Sequence, residues 1–463
     1  MMSFRILQAV CLLTMRTALA AVALQDPSDI IPASAWAADN ALIADYNIPM
    51  PASQPSDILA KHVFKENQTS IRYAVYTVDA NDTSVILVSD SATLDLSYVN
   101  VIKYGYSTNL NDASAYGFNA AINVANASAA SFKYLNVTTH NGAANIYSYG
   151  TDTVVNVTNS WLYSSGPVSH GLYAAGNGTI HGSKVQHFSG GRRSSSFAGD
   201  GPRGTVYVSD SVAHTTGIGS ATFYALGEIF ANNVAAKAEN APTAFMDGTQ
   251  NISMDNCECT AGLLGGMVIF SSAVRQAGAS VDVRNSKLTT TGSTMPGLWF
   301  GNVIADAYLY NTQVVAASGV LVVANYSQVT QDFDRYASYS DNPDLAPAEA
   351  YITVAESFLA GDLVTYNSSY ISWNLSSHSY WVGASYAGYG QALVDVTLDA
   401  TSNWTLTATS YVQNLTDADS SLANIASAGH TLYYNSSALL NGWLNNQTIE
   451  LSGGGSITPR TQS

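Results

Sequence analysis

A phrase that returns about every 25 residues constrains this chain more than any other feature. Ala121-Ile122-Asn123-Val124 is followed by Asn145-Ile146-Tyr147-Ser148, Gly171-Leu172-Tyr173-Ala174 and Ser196-Phe197-Ala198-Gly199. Thr222-Phe223-Tyr224-Ala225, Ala244-Phe245-Met246-Asp247, Leu298-Trp299-Phe300-Gly301 and Leu321-Val322-Val323-Ala324 continue the series. A unit this short cannot bury its own apolar face and must stack on copies of itself. Inside each unit the apolar spacing is two. Val154, Asn156 and Thr158 alternate with Val155, Val157 and Asn159; Val206 and Val208 flank Tyr207; Val281 and Val283 flank Asp282. Period two with β-branched residues is strand patterning, and helical runs are scarce between 90 and 325. Short strands broken by Gly, Asn and Ser turns predict an all-β chain: a right-handed parallel β-helix, a solenoid with three short strands per coil.

Three regions depart from the repeat. Residues 21–84 read as an N-terminal capping segment with the first strands, because five prolines and Trp36 crowd positions 21–70. An open solenoid end is a strand-pairing hazard, so a cap is expected there. Residues 85–460 form the β-helix, interrupted by a long insertion at 328–349 that contains Phe333-Asp334-Arg335-Tyr336 and ends on Pro343 and Pro347. Long insertions in compact folds are usually functional or unstructured. From Ala350 the strands resume in shorter coils richer in Tyr and Trp.

Residues 1–20 have the form of a secretory signal peptide. Arg5 gives the basic start, Ile6 to Met15 the apolar run, and Ala18-Leu19-Ala20 the small-residue cleavage site. The run is too short for a bilayer span, which takes about 20 residues, and no spanning stretch follows, so no membrane span is expected. Sequons at Asn67, Asn81, Asn126, Asn136, Asn156, Asn177, Asn251, Asn325, Asn367, Asn374, Asn403, Asn414, Asn435 and Asn446 fit glycosylation along a eukaryotic export route. The expected location is secreted, or the lumen of the secretory pathway. Two cysteines follow the signal, Cys257 and Cys259. Residues two apart in a strand sit near the upper limit for a disulfide, so two small buried thiols are expected.

Charge narrows the partners. Asp, Glu, Lys and Arg make up only 11% of the chain and the net charge is −16, which argues against a nucleic-acid-binding face. Parallel β-helices often degrade acidic polysaccharides, by paired aspartates or by calcium held on clustered carboxylates. Here no Asp-Asp pair occurs, and Asp152, Asp210, Asp247, Asp255 and Asp282 are scattered singly, as turn residues would be. His140, His170, His181, His187 and His214 fall in successive coils, where stacking could bring two together, but in a Ser/Thr-rich chain they read first as surface turn residues. Ser169 and His170 are strand neighbours that face opposite ways, so they form no dyad with each other. No His lies at ligand spacing to the cysteines, and no metal site is expected. Gly190-Gly191-Arg192-Arg193 is the one paired basic site in the repeats: either a solvated turn or an anion or carbonyl clamp.

Aromatic residues are the remaining chemistry. Trp299-Phe300, Phe333, Tyr336, Trp373, Tyr380-Trp381, Tyr386 and Tyr389 gather in the second half. Alternation sends one residue of each adjacent pair outward, so neither Trp299-Phe300 nor Tyr380-Trp381 can lie wholly in the core. Outward aromatics make a carbohydrate platform or an apolar groove.

The phrases Gly171-Leu172-Tyr173-Ala174-Ala175-Gly176-Asn177-Gly178-Thr179-Ile180, Gly204-Thr205-Val206-Tyr207-Val208-Ser209 and Leu451-Ser452-Gly453-Gly454-Gly455-Ser456-Ile457-Thr458-Pro459 resemble those of secreted right-handed β-helix proteins of bacteria and filamentous fungi. The likeness covers roughly residues 85–460, and its motifs are structural turns. Within the fungal branch the chain is similar to the hetero-Diels–Alderases of tropolonic sesquiterpene biosynthesis, which join an o-quinone methide tropolone to a humulene-type alkene. That resemblance implies an intermolecular pericyclase of meroterpenoid secondary metabolism, with small hydrophobic substrates and no metal or redox cofactor. Oxygen contacts would fall to Arg335 with Tyr336, or to Arg192 with Arg193; Trp299, Phe300, Phe333, Trp373 and Trp381 would form apolar walls. Two other classes stay open: a non-catalytic carbohydrate-binding or adhesive secreted protein, and an atypical polysaccharide lyase. A flat, open aromatic row would favour sugar; a closed cleft would favour a small hydrophobic substrate pair.

Overall fold

Parallel pairing dominates the chain. In the computed structural model, residues 58–107, 110–140, 142–272, 274–325, 345–366, 368–389 and 393–461 are described. The expected signal peptide, most of the expected cap, and Phe333, Arg335 and Tyr336 lie outside them. The described chain is a right-handed parallel β-helix of about 15 turns. Each coil gives one short strand to a thirteen-stranded first face, then crosses to a second and a third face. All eight repeat phrases named above are strands of this first face, and they pair in register: Ile122 with Ile146, Ile146 with Leu172, Leu172 with Phe197 and Phe197 with Phe223. The solenoid starts earlier than residue 85. Strand Ala60–Lys65 already pairs with Ser84–Ser89, and its Lys61, His62 and Lys65 obscured the pattern by charging an alternating strand.

The bend between second and third faces has a simple local cause. Strands such as Val154–Ser164, Thr179–Ser189 and Thr205–Thr215 run through both faces and turn at one left-handed residue: Asn159, Lys184 and Asp210 here, then Asn233, Asn256, Asn285, Asn311 and Glu356 in later coils. Asn and Asp tolerate that region best, which explains their prevalence. Their side chains link coil to coil, Asn233 Nδ2 donating to Asp210 Oδ1 at 2.7 Å and Asn311 Nδ2 to Asn285 Oδ1 at 2.9 Å. The following residue points inward, and in most coils it is hydroxylated. Ser211 Oγ accepts from the Val185 N–H at 3.0 Å and donates to the Ser209 carbonyl; Ser286 and Ser357 repeat this with Cys257 and Thr312. Cys257 occupies the same rung, its thiol donating to the Asp255 carbonyl. Both cysteines are free and buried, as expected.

Inside, alternation places Ile146, Leu172, Phe197, Phe223, Met267, Leu298 and Phe300 in one continuous column. Towards the C-terminus three indoles fill it: Trp381 lies 5.8 Å from Trp373 and 4.5 Å from Trp404. The Trp381 and Trp404 N–H groups donate to the carbonyls of Gly361 and Gly383. A Cβ on Gly383 would sit 2.0 Å from the Gly361 oxygen, so glycine is required for this stacking. The end is closed by the 3-10 helix Leu439–Leu444 and by strand Ser456–Arg460, which pairs parallel to Thr431–Asn435 and antiparallel to Ile449–Glu450. No helix among the described residues is long and apolar enough to cross a membrane.

Candidate functional site

The outward side chains of the first face form the candidate site. Where Ile146, Leu172 and Phe223 point in, the next residue points out. Register therefore stacks Asn123, Tyr147, Tyr173, Ala198, Tyr224, Phe245, Val268, Trp299, Val323 and Val364 in one row. An outward row on a solenoid would ordinarily face water. This one does not: Tyr147 and Tyr173 are fully buried, Phe245 is 7% exposed and Trp299 2%. Phe245, Phe270, Val268, Trp299, Val323 and Val364 make an apolar cluster separate from the column, flanked by Tyr224, Tyr366 and Tyr386.

A polar group lies at the N-terminal end of this row. Helix Leu110–Tyr116 packs over it through Ser114, whose carbonyl accepts from the Tyr147 hydroxyl and whose Oγ bonds the Tyr173 hydroxyl, each at 2.9 Å. The Tyr173 hydroxyl also donates to Asp200 Oδ2, and Asp200 Oδ1 accepts from the Gly201 N–H. Burial raises the Asp200 carboxyl above its ordinary value, against the pull of these hydrogen bonds. The His170 ring lies 4.4 Å from Tyr173 and 6.0 Å from Tyr224. Its Nδ1 accepts from the Ser195 N–H at 3.1 Å, so the neutral ring carries its proton on Nε2. Burial, with the nearby charge of Arg193, lowers its pKa to about 3. Desolvation raises the phenols of Tyr147, Tyr173 and Tyr224 well above their usual range. The end of the row is thus a set of neutral phenols and an imidazole beside one carboxyl, Asp200, and one guanidinium, Arg193.

The expected site residues divide. Arg193, half-buried in a left-handed turn, belongs to this group, since its charge acts on both His170 and Tyr224; Arg192 is its half-buried neighbour. Trp299 is in the row. Its indole N–H has no hydrogen-bond partner among the described residues. Phe300, Trp373 and Trp381 are corrected: all three are buried in the inner column, because alternation and coil stacking turn them away from any outer wall. His170 and His187 are likewise not surface residues. His187 is buried between Ser164 and Ser196, in space left by Gly171, where a Cβ would come within 2.8 Å of the ring. Asp247 faces outward from a first-face strand and is buried, rather than being a solvated turn residue. Of the sequon asparagines, Asn325 and Asn435 are buried, Asn435 donating to Gln413 Oε1, and Asn367 lies outside the described residues. Sequence reasoning missed Tyr147, Tyr173, Tyr224, Phe245 and Asp200. For the three tyrosines a signal was present, a tyrosine at the third position of three of the repeat phrases; Phe245, second in its phrase, and Asp200, outside the phrases, carried none.

Among the described residues no group of three His, Cys, Asp or Glu could hold a metal ion. Comparison with protein-family models, with curated proteins and with solved structures finds no match to this chain.

Proposed function

We propose that the outer row of the first face binds small, oxygen-bearing hydrophobic molecules and catalyses their cycloaddition, as a hetero-Diels–Alderase joining a tropolone o-quinone methide to a humulene-type alkene. The observation that carries this reading is Trp299: a buried indole N–H without an acceptor among the described residues, set among apolar side chains. Buried donors are nearly always paired, so an unpaired one invites a ligand oxygen. Such a reaction turns three π bonds into one C–C bond, one C–O bond and one remaining π bond, with no proton transfer and no net oxidation or reduction. It asks the protein for positioning, which can supply on the order of 7–11 kcal/mol, and for donors aimed at the heterodiene oxygen.

The row offers both. Tyr224 and Trp299 are three strands apart, about 14 Å at the usual strand spacing, a separation on the scale of two reactants side by side. Phe245 and Val268 lie between them. Trp299 N–H at one end, and Tyr224, His170 and Arg193 at the other, would hold oxygens on opposite partners. An atypical lyase is less well supported, since the row shows no cluster of carboxylates among the described residues.

The test is a cycloaddition assay on secreted protein, with a tropolone quinone-methide precursor, humulenol and a no-enzyme control. Expected is a rate above background with one dominant stereoisomer. Trp299→Phe keeps the ring and removes the donor; it should lower the rate about 10- to 100-fold, as for a lost charge-stabilising hydrogen bond. Unchanged circular dichroism would show that the variant is folded. A product mixture and rate equal to the control would overturn the proposal.

A further inference from the structure

The second face carries a different surface in the same coils. Strands Val154–Ser164, Thr179–Ser189, Thr205–Thr215 and Glu228–Ala238 bring His181, Tyr207 and Phe230 into one outward row, with Asn156 before it and Ser253 after it. The rings are 4.8 and 4.9 Å apart and inclined by only 7° and 12°. Parallel rings that close can only be stacked face to face along the solenoid axis. The stack therefore covers both faces of Tyr207. Asn156 and Ser253 are too small to continue it, so His181 and Phe230 each keep one open face.

A concavity of about 500 Å³ surrounds these rings, lined also by Thr158, Ser183, Ser209, Asn232 and Asp255. The hydroxyls of Ser183, Ser209, Ser253 and Tyr207 make no hydrogen bond to the described protein. At each end of the stack an open ring face thus meets an amide and free hydroxyls: Phe230 with Asn232 and Ser253, His181 with Asn156 and Ser183. We infer that this concavity binds neutral saccharide chains. A pyranose with equatorial hydroxyls has an apolar C–H face to lay on Phe230 or His181, and a rim of hydroxyls that both donate and accept. The lining supplies the matching donors and acceptors. Asp255 and the net charge of −16 oppose polyanions such as pectate. This site is separate from the first-face row and does not depend on its chemistry.

Calorimetric titration of enzymatically deglycosylated protein with cellohexaose, laminarihexaose and chitohexaose tests it; deglycosylation keeps a glycan on Asn156 out of the groove. Saturable binding of at least one neutral hexasaccharide is expected, with no binding of oligogalacturonate. Phe230→Ala and Ser253→Ala should each weaken it, the former by about tenfold or more. Trp299→Phe should leave saccharide affinity unchanged, which separates this inference from the cycloaddition reading. Absence of binding to all three, binding that survives Phe230→Ala in a folded variant, or preference for oligogalacturonate would overturn it.

Discussion

Two imidazoles make this protein's stability depend on acid. His170 and His187 are both lowered to about 3 by burial, against 6.5 in the unfolded chain. Below 6.5 the unfolded state binds protons that the folded state refuses. Their stabilising contribution is therefore complete above about pH 6.5 and is lost as pH falls towards 3. At pH 5 the loss is roughly 2 kcal/mol for each. Asp200 has the opposite sign: its raised carboxyl favours the fold at low pH and loses that contribution as pH rises through its folded value. Two histidines outweigh one carboxyl, so the urea midpoint should drop steadily from pH 7 to pH 4. A His187→Asn variant, if folded, should show a shallower slope; a flat profile would mean that the two rings are not buried as described. None of this was readable from the sequence, because burial of a polar residue inside a coil depends on which glycine stands opposite, here Gly171.

At the level of the strand, the inward rung after each left-handed residue is where small changes cost most. Ser286 Oγ is the acceptor for the buried Cys257 N–H at 2.9 Å. Ser286→Ala leaves that N–H without a partner and should destabilise by about 1–3 kcal/mol. Cys257→Ser keeps the donor on the same rung and should stay within about 0.5 kcal/mol. Chemical denaturation of both variants measures the contrast, and equal effects would refute the rung's role. The strands themselves were legible. Pairing falls on partners 25 or 26 residues apart in the best-formed coils, which is the period of the repeat phrases. That one residue of each adjacent aromatic pair points outward was legible too, but not which one: Phe300 and Trp381, both expected in the wall, are in the inner column, and Trp299 is out. What alternation could not tell is that the outward row of the first face would also be buried. Period two reports the side of a strand and not what lies upon it.

Over the whole molecule, the C-terminal closure decides whether the solenoid stays single. Asn441 receives the Leu415 N–H on its carbonyl at 2.8 Å and donates to the carbonyls of Gln413 and Asn435. Trp443 donates to the Leu415 carbonyl. Truncation after Ser437 removes these partners along with strand Ser456–Arg460, and leaves Thr431–Asn435 as an open edge. The shortened protein should form aggregates or end-to-end oligomers in size-exclusion chromatography with light scattering; a stable monomer would show that the closure is dispensable. The architecture was legible because a repeat states itself many times over, whereas a closing element such as Leu439–Leu444 occurs once. The inferred sites share this geometry. Tyr173 and His181 belong to one coil, joined through the turn at Gly176-Asn177-Gly178, and Tyr207 and Tyr224 stand in neighbouring coils. A duplication or loss of a single coil would therefore lengthen or shorten both surfaces in one genetic event, so that neither could be resized during descent without the other.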